Sequence, residues 1–379
     1  MYIPTSNVEE IVNAIERQNV PKNKTVLILL AEQKLPDITH LISELNKKKI
    51  DFFGAIFPGL IYGAEKYHTG AIIHVLPVIQ KPILVQNLSE PTKDLKSCFT
   101  AVNQSHKNKP TAFIIVDGLS QKIFSFLSSI YNVFADSVHY LGGGAGTLTF
   151  KEQPCIFNPD GFFQDSAIIT FIDAKSGLGV QHGWHRIMGP MIVTKSEGNV
   201  IKELNWKNAF EVYQEAIETE SGRNIDLSNF FEISLNYAFG IYCEGAEDIV
   251  RDALKVNEKG ELLCAGEVPE NAVINILKGE KLSLIKSAEK AVEDSLSAGM
   301  INVNHCLVMD CVARSMFLKD DFIEEIRTII KGFESRNIHV VPEGVLSLGE
   351  IASRKEGIIE FFNKTIAIGV FDESTDTVH

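Results

Sequence analysis

The chain has 379 residues, a formal net charge of −13, 45 % hydrophobic residues and 22 % charged residues. That length holds two or three domains' worth of chain and a large buried core, and the charged fraction is that of a folded protein. The acidic balance argues against nucleic-acid binding, which needs clustered Lys and Arg; the one dense basic run, Lys47-Lys48-Lys49, closes a predicted helix, where cations face the negative end of the helix dipole.

No apolar stretch reaches the roughly 18–20 residues that span a bilayer, so no membrane partner is expected. The first ten residues, Met1 to Glu10, lack the basic segment and apolar run of a signal peptide. The six cysteines, at 98, 155, 243, 264, 306 and 311, form no CxxC pair. This argues against zinc-knuckle or thioredoxin chemistry and points to a cytoplasmic protein whose reduced cysteines fill its core.

In chain order, apolar runs alternate with helical periodicity. The first strand covers 25–32 and a helix 36–49, with Ile38, Leu41, Ile42 and Leu45 on one face. An extended segment at 51–58 and a strand at 71–76 follow. The same order recurs as a strand at 112–118, a helix at 121–136, an extended segment at 138–141 ending in Gly142–Gly146, and a strand at 166–173. Between this copy and the last lies a different region. Residues 179–187 and 190–204 read as paired strands with a hairpin turn at Ser196-Glu197-Gly198-Asn199. Helices at 209–218 and 227–238, a strand pair at 254–266 and an amphipathic helix at 281–298 come next. A third copy closes the chain: strand 305–310, helix 320–335, extended segment 338–341 ending in Pro342-Glu343-Gly344, and strand 365–371. The expected fold is α/β, with repeated strand–helix–strand–strand units forming mixed β-sheets flanked by helices. Two domains, 1–220 and 221–379, divide at the polar, glycine-bearing stretch 219–227.

Three constellations carry chemistry. Gly142, Gly143 and Gly144 could let a backbone approach a ligand, or simply make a sharp turn. The run fails the GxGxxG pattern at its last position, and no P-loop lysine follows. In Gln181-His182-Gly183-Trp184-His185-Arg186, strand alternation puts His182, Trp184 and Arg186 on one face and His185 on the other. One neutral imidazole there could ligate haem iron and Arg186 could pair with a carboxylate, or the histidines could be ordinary strand residues. Asp310-Cys311-Val312-Ala313-Arg314 ends a strand, where ligands of α/β sheets commonly sit. Cys311 and Arg314 could line a pocket with Gly349 and Glu350, or be a core cysteine and a surface arginine. The nucleophile elbow and the HExxH, EF-hand and Walker motifs are absent. Structural roles are expected for histidines 40, 68, 74, 106, 139, 305, 339 and 379.

These residues resemble the FIST family. The match runs through Tyr140–Gly146 with Gln153–Phe157 and Gly161, then His182-Gly183-Trp184 with Gly189-Pro190, Val193–Ile201, Glu203-Leu204 and Ala209–Tyr213, then Cys311–Arg314 with Gly344, Gly349-Glu350 and Asn363-Lys364-Thr365. The resemblance implies an N-terminal and a C-terminal FIST domain and a non-catalytic sensory module of bacterial signal transduction. It is similar to the NosP-type branch, which implies non-covalent haem b on a histidine, His182 first and His185 as the alternative. It also implies nitric-oxide sensing and control of a separate histidine kinase or cyclic-di-GMP enzyme, with a homodimer left open. The competing reading is a sensor for an amino acid or other small carboxylate held by Arg314, Arg186 and the glycine run. An enzyme using Cys311 ranks last, because no base or metal cluster accompanies the thiol.

Overall fold

A computed structural model of the chain describes residues 1–90, 99, 102, 108–297, 299–300, 302–353 and 357–373. Cys98, His106, Ala298 and His379 lie outside the described residues. The first unit contains β1 (Tyr2–Ile3), α1 (Val8–Glu16), β2 (Lys24–Ala31), α2 (Ile38–Lys47), β3 (Phe52–Phe57), the hairpin β4 (Gly59–Tyr62) and β5 (Glu65–Tyr67), and β6 (Ala71–Pro77). The second contains β7 (Ile83–Gln86), β8 (Thr111–Asp117), α3 (Ile123–Phe134), β9 (His139–Ala145), the hairpin β10 (Ile156–Asn158) and β11 (Gly161–Phe163), and β12 (Ser166–Ile172). The strand β13 (Lys175–Gln181) comes next. An inserted region holds β14 (His185–Glu197), β15 (Val200–Leu204), β16 (Lys207–Asn208), α4 (Ala209–Ser221), α5 (Phe230–Ser234), β17 (Tyr237–Ile241), β18 (Ile249–Val256), β19 (Leu262–Cys264) and β20 (Val273–Lys278). The third unit follows with α6 (Lys281–Leu296), β21 (His305–Cys311), α7 (Val312–Leu318), α8 (Phe322–Glu334), β22 (Pro342–Ser347), the hairpin β23 (Glu350–Ser353) and β24 (Ile359–Phe362), and β25 (Ile366–Asp372).

The three units repeat one topology. Each first strand (β2, β8, β21) lies parallel to the second (β3, β9, β22) and antiparallel to the last (β6, β12, β25). An edge strand (β1, β7, β13) pairs with each last strand. The hairpins do not stay in their own sheets. The hairpin β4–β5 of the first unit joins β22 of the third, β23–β24 of the third joins β9 of the second, and β10–β11 of the second joins β3 of the first. Three six-stranded sheets of the same order, β1-β6-β2-β3-β10-β11, β7-β12-β8-β9-β23-β24 and β13-β25-β21-β22-β4-β5, result from this cyclic exchange.

The first strands are apolar through their central residues, Val26–Ala31, Ala112–Val116 and Cys306–Met309, because both of their faces are buried there. Leu27 and Leu29, Phe113 and Ile115, and Leu307 and Met309 point into one common core shared by the three sheets. The alternate residues pack outward under helices: Val26 and Ile28 under α1 and α2, Ile114 and Val116 under α3, Cys306 and Val308 under α6 and α8. Each second strand carries a glycine at the same register position, Gly54 opposite Ile28, Gly142 opposite Ile114 and Gly344 opposite Val308. A Cβ there would lie 2.3, 1.8 and 1.9 Å from the facing carbonyl oxygen, respectively, so the strands meet only where a side chain is missing.

The inserted region forms a fourth sheet, β14-β20-β17-β18-β19-β15-β16, with its own core around Tyr213, Phe230 and Phe239. The hairpin at Gly198 and the β18–β19 pair follow the sequence expectation. Three expectations do not hold. Residues 179–187 are not one strand, because Gly183 at φ +74 breaks the chain between β13 and β14. The helix expected through 238 ends at Ser234, and Tyr237 and Ala238 already pair with β20. The third unit's second strand begins at Pro342 rather than ending there, since 338–341 carry no strand.

The register glycines generate a test. Gly142→Ala or Gly344→Ala should cost about 1–3 kcal/mol through overpacking against backbone. Gly63→Asn, at φ +59 with nothing within 4 Å, should change stability by less than about 0.5 kcal/mol. Urea unfolding followed by circular dichroism separates the two outcomes.

Candidate functional site

The glycine run is not a turn and lines neither of the two large cavities. Gly142, Gly143 and Gly144 are buried within β9, where Gly142 presses on Ile114 and Gly143 pairs with Glu350. Gly144 donates its N–H to the Gly349 carbonyl at 2.8 Å and accepts from Leu348 N–H at 2.8 Å. The missing side chains admit neighbouring backbone, which corrects their assignment to a cofactor.

His182 and Trp184 lie in the link between β13 and β14, so strand alternation does not govern them. The His182 ring is buried, and its Nδ1 accepts the Trp184 backbone N–H at 2.8 Å. The proton of the neutral ring therefore sits on Nε2, which has no hydrogen-bond partner and lies 3.8 Å from the Glu247 carboxylate. Burial lowers the ring's pKa, with Glu247 partly offsetting it, so the imidazole is neutral.

Haem b on His182 fails two tests. An imidazole binding iron through Nε2 donates an N–H from Nδ1 to an acceptor, whereas here Nδ1 is itself the acceptor. The adjoining cavity of about 1050 Å³ has charged walls: Lys109, Glu247, Lys290 and the Gln181–Asp294 and Arg186–Asp248 pairs. A porphyrin needs apolar faces there. Arg186 does share this cavity with His182, but its guanidinium is committed bidentately to Asp248 at 2.9 and 2.5 Å. Trp184 is a core residue, its ring against Phe317 and 4.7 Å from Lys364 Nζ. His185 opens β14, half-buried, 3.7 Å from Glu280 and lining neither cavity. As they stand, the His182 ring and the charged cavity beside it do not fit a haem held across His182–Arg186.

Arg314 is buried completely. It donates to Glu325, to the His182 carbonyl at 2.5 Å, to the Lys364 carbonyl at 3.2 Å, to the Leu284 carbonyl at 3.1 Å and to Ser287 Oγ at 3.2 Å. All five guanidinium N–H groups are thereby used, so Arg314 rivets the link before β14 to α6 and α8 and has nothing left for a ligand. Around it lie Asp310, whose carboxyl oxygens make no hydrogen bond, and Glu350, which accepts from Ser347 Oγ at 2.7 Å and Thr365 N–H at 3.3 Å. Burial raises both acids, Glu350 to about 8 and Asp310 beyond the carboxylate range with Glu325 adding to the push. Burial and Glu350 likewise push the Cys311 thiol well up, the opposite of an activated nucleophile.

Cys311 and Gly349 do line a cavity, one of about 530 Å³ that the sequence only half revealed. Its walls come from the loops after β8 and β22, the start of α7, and the β14–β15 and β18–β19 hairpins. Phe124, Phe150 and Phe231, 48, 50 and 45 % exposed, stand along it with Leu235, Met316 and Leu348. Asn363, also lining it, is buried and has an Oδ1 with no partner, a vacancy that costs about 1–3 kcal/mol. Beneath the cavity run two further buried cations. Arg251 donates to the Glu267, Val250 and Phe361 carbonyls at 2.9, 3.1 and 2.8 Å and to Glu360 at 3.2 Å. Lys364 Nζ donates to the Leu235 carbonyl at 3.0 Å and pairs with Asp252 at 3.1 Å. A sequence signal for the wall existed in Phe124, which stands off the apolar stripe Ile123, Leu127, Ile130 of α3.

Two outcomes are expected. Glu350 binds its proton more tightly folded than unfolded, so its contribution to stability is full below the unfolded pKa, about 4.3, and is lost as pH rises towards about 8. Glu350→Gln should flatten the decline in stability between pH 5 and 8 by up to about 1.4 kcal/mol per pH unit, measured by urea unfolding. Haem titration should give no histidine-ligated Soret band that His182→Ala removes; a band lost in that variant would overturn the tautomer assignment.

No curated protein matches the chain. The FIST N domain matches residues 24–207 and the FIST C domain residues 209–353, adjoining segments that hold most of the three exchanged sheets, β1, β24 and β25 excepted, and the inserted fourth sheet. The chain therefore belongs to the FIST family, whose domains are sensory modules of signal transduction.

Proposed function

We propose that the chain is a non-catalytic sensor whose small-molecule site is the cavity of about 530 Å³ between its FIST N and FIST C segments. One observation carries this reading: the cavity has walls from both segments and sits on the joint between the fourth sheet and the ring. Arg251 and Asp252 belong to β18 of the fourth sheet, and their partners Glu360, Phe361 and Lys364 belong to the ring. A ligand touching both sides stabilises the arrangement in which they close on it, and the shift is limited to its differential affinity for that arrangement. The recipient is a separate protein, which the family resemblance gives as a histidine kinase or a cyclic-di-GMP enzyme. Haem and nitric oxide are not carried forward, because His182 presents the wrong tautomer in a charged cavity.

Ala313 lines the cavity without being fully buried, so Ala313→Trp fills the space from within. A thermal-shift screen of metabolites should find ligands that raise the melting temperature of the natural chain; at a hundred times Kd the gain is about 2.7 kcal/mol. Ala313→Trp should keep its own melting transition and lose those shifts. Shifts that survive the substitution place the ligand elsewhere and sink the proposal.

A further inference from the structure

The charges around that cavity restrict what it can hold, an argument that rests on the cavity being the ligand site. We infer that its ligand carries no negative charge, with an aromatic or aliphatic body and an N–H or O–H donor at its inner end.

The inner end is set by Asn363. Its side chain is buried, lines the cavity and carries an Oδ1 with no donor from the protein. A donor brought by the ligand would give this acceptor the partner that the protein does not supply. Cys311 beside it stays a neutral thiol and repels no such group.

No cation of the lining is free for an anion. Among the described residues of the lining, Arg251 is the cation, and its guanidinium is occupied by three carbonyls and Glu360. Lys364, just below, is held by the Leu235 carbonyl and Asp252. Arg314 is enclosed by Glu325 and backbone carbonyls and lies outside the lining. A carboxylate entering the cavity would lose its hydration without a counter-charge, which is strongly unfavourable. Among the described lining residues the carboxylates are Asp252, which is already paired with Lys364, and Glu267, so the lining leans towards negative rather than positive charge. The body of the ligand is set by Phe124, Phe150 and Phe231, large apolar side chains left about half exposed along one cavity. Such a cluster gains most from an apolar or aromatic face laid against it.

A matched series reads the charge directly: 4-phenylbutanamide, 4-phenylbutan-1-ol and 4-phenylbutanoate share one body and differ at the polar end. Calorimetric titration and thermal shift of the whole chain at pH 7 should show binding of the amide and the alcohol and none of the carboxylate. Ala313→Trp should abolish both, and Asn363→Leu should weaken both about tenfold; Asn363→Ser gives the same comparison should the leucine variant fold poorly. Carboxylate binding as tight as the amide's, and lost in Ala313→Trp, overturns the exclusion of anions while leaving the cavity as the site. Amide binding that persists in Ala313→Trp overturns the cavity itself. Absence of binding by both neutral probes overturns the ligand class stated here.

Discussion

Close approach of strand pairs through three equivalent glycines governs the molecule. Where Gly54, Gly142 and Gly344 stand, the first strand's carbonyl occupies the position a Cβ would take. The second strands can then run in towards one another, and their ends bond across units: Gly146 N–H to the Ile56 carbonyl and Leu348 N–H to the Gly144 carbonyl, each at 2.8 Å. Beyond that meeting point each strand leads into a hairpin that falls naturally onto the neighbouring unit's sheet. The cyclic exchange makes every sheet depend on two units. No unit has a closed edge by itself, so the ring should unfold as a whole rather than by thirds.

The same exchange explains why the family's two sequence domains do not coincide with two separate layers. The sheet that holds β8, β9 and β12 is finished by β23 and β24, and the sheet that holds β21, β22 and β25 is finished by β4 and β5. A division of the chain near residue 208 or 220 is therefore a division of sequence. In space, the inserted fourth sheet has a core of its own on one face and packs Ala238, Val250 and Leu277 of the other face against the helices and strands of the third unit.

Much of the ring was legible in the sequence. The three units show as runs such as Val26–Leu30, Phe113–Val116 and Leu307–Met309, because a strand buried on both faces must be apolar throughout. The exchange was not legible: β10 pairs with β3 about a hundred residues away, and nothing local in Ile156-Phe157-Asn158 names that partner. Site residues failed for related reasons. Arg314 looked like a ligand-binding cation, but its burial and five partners come from four distant segments. His182 looked like a strand residue until Gly183, at φ +74, broke the strand and turned the Trp184 N–H onto its Nδ1. Asn363 was visible only as part of a family block, and its missing donor is a property of packing.

Buried ionic groups seldom add stability over well-packed apolar ones, since desolvation offsets most of the attraction. Arg251, Lys364 and Arg314 therefore need another explanation than stability, and their placement offers one. Each bonds carbonyls on segments that packing alone would leave free to slide: Phe361 with β18, Leu235 with the segment before β25, and the His182 link with α6. Directional hydrogen bonds fix those registers where apolar contact would tolerate several. The cavity lies on top of this fixed joint, walled by loops whose Phe side chains are half exposed. The proposed ligand site thus rests on a floor held by directional hydrogen bonds and is walled by half-exposed aromatic side chains.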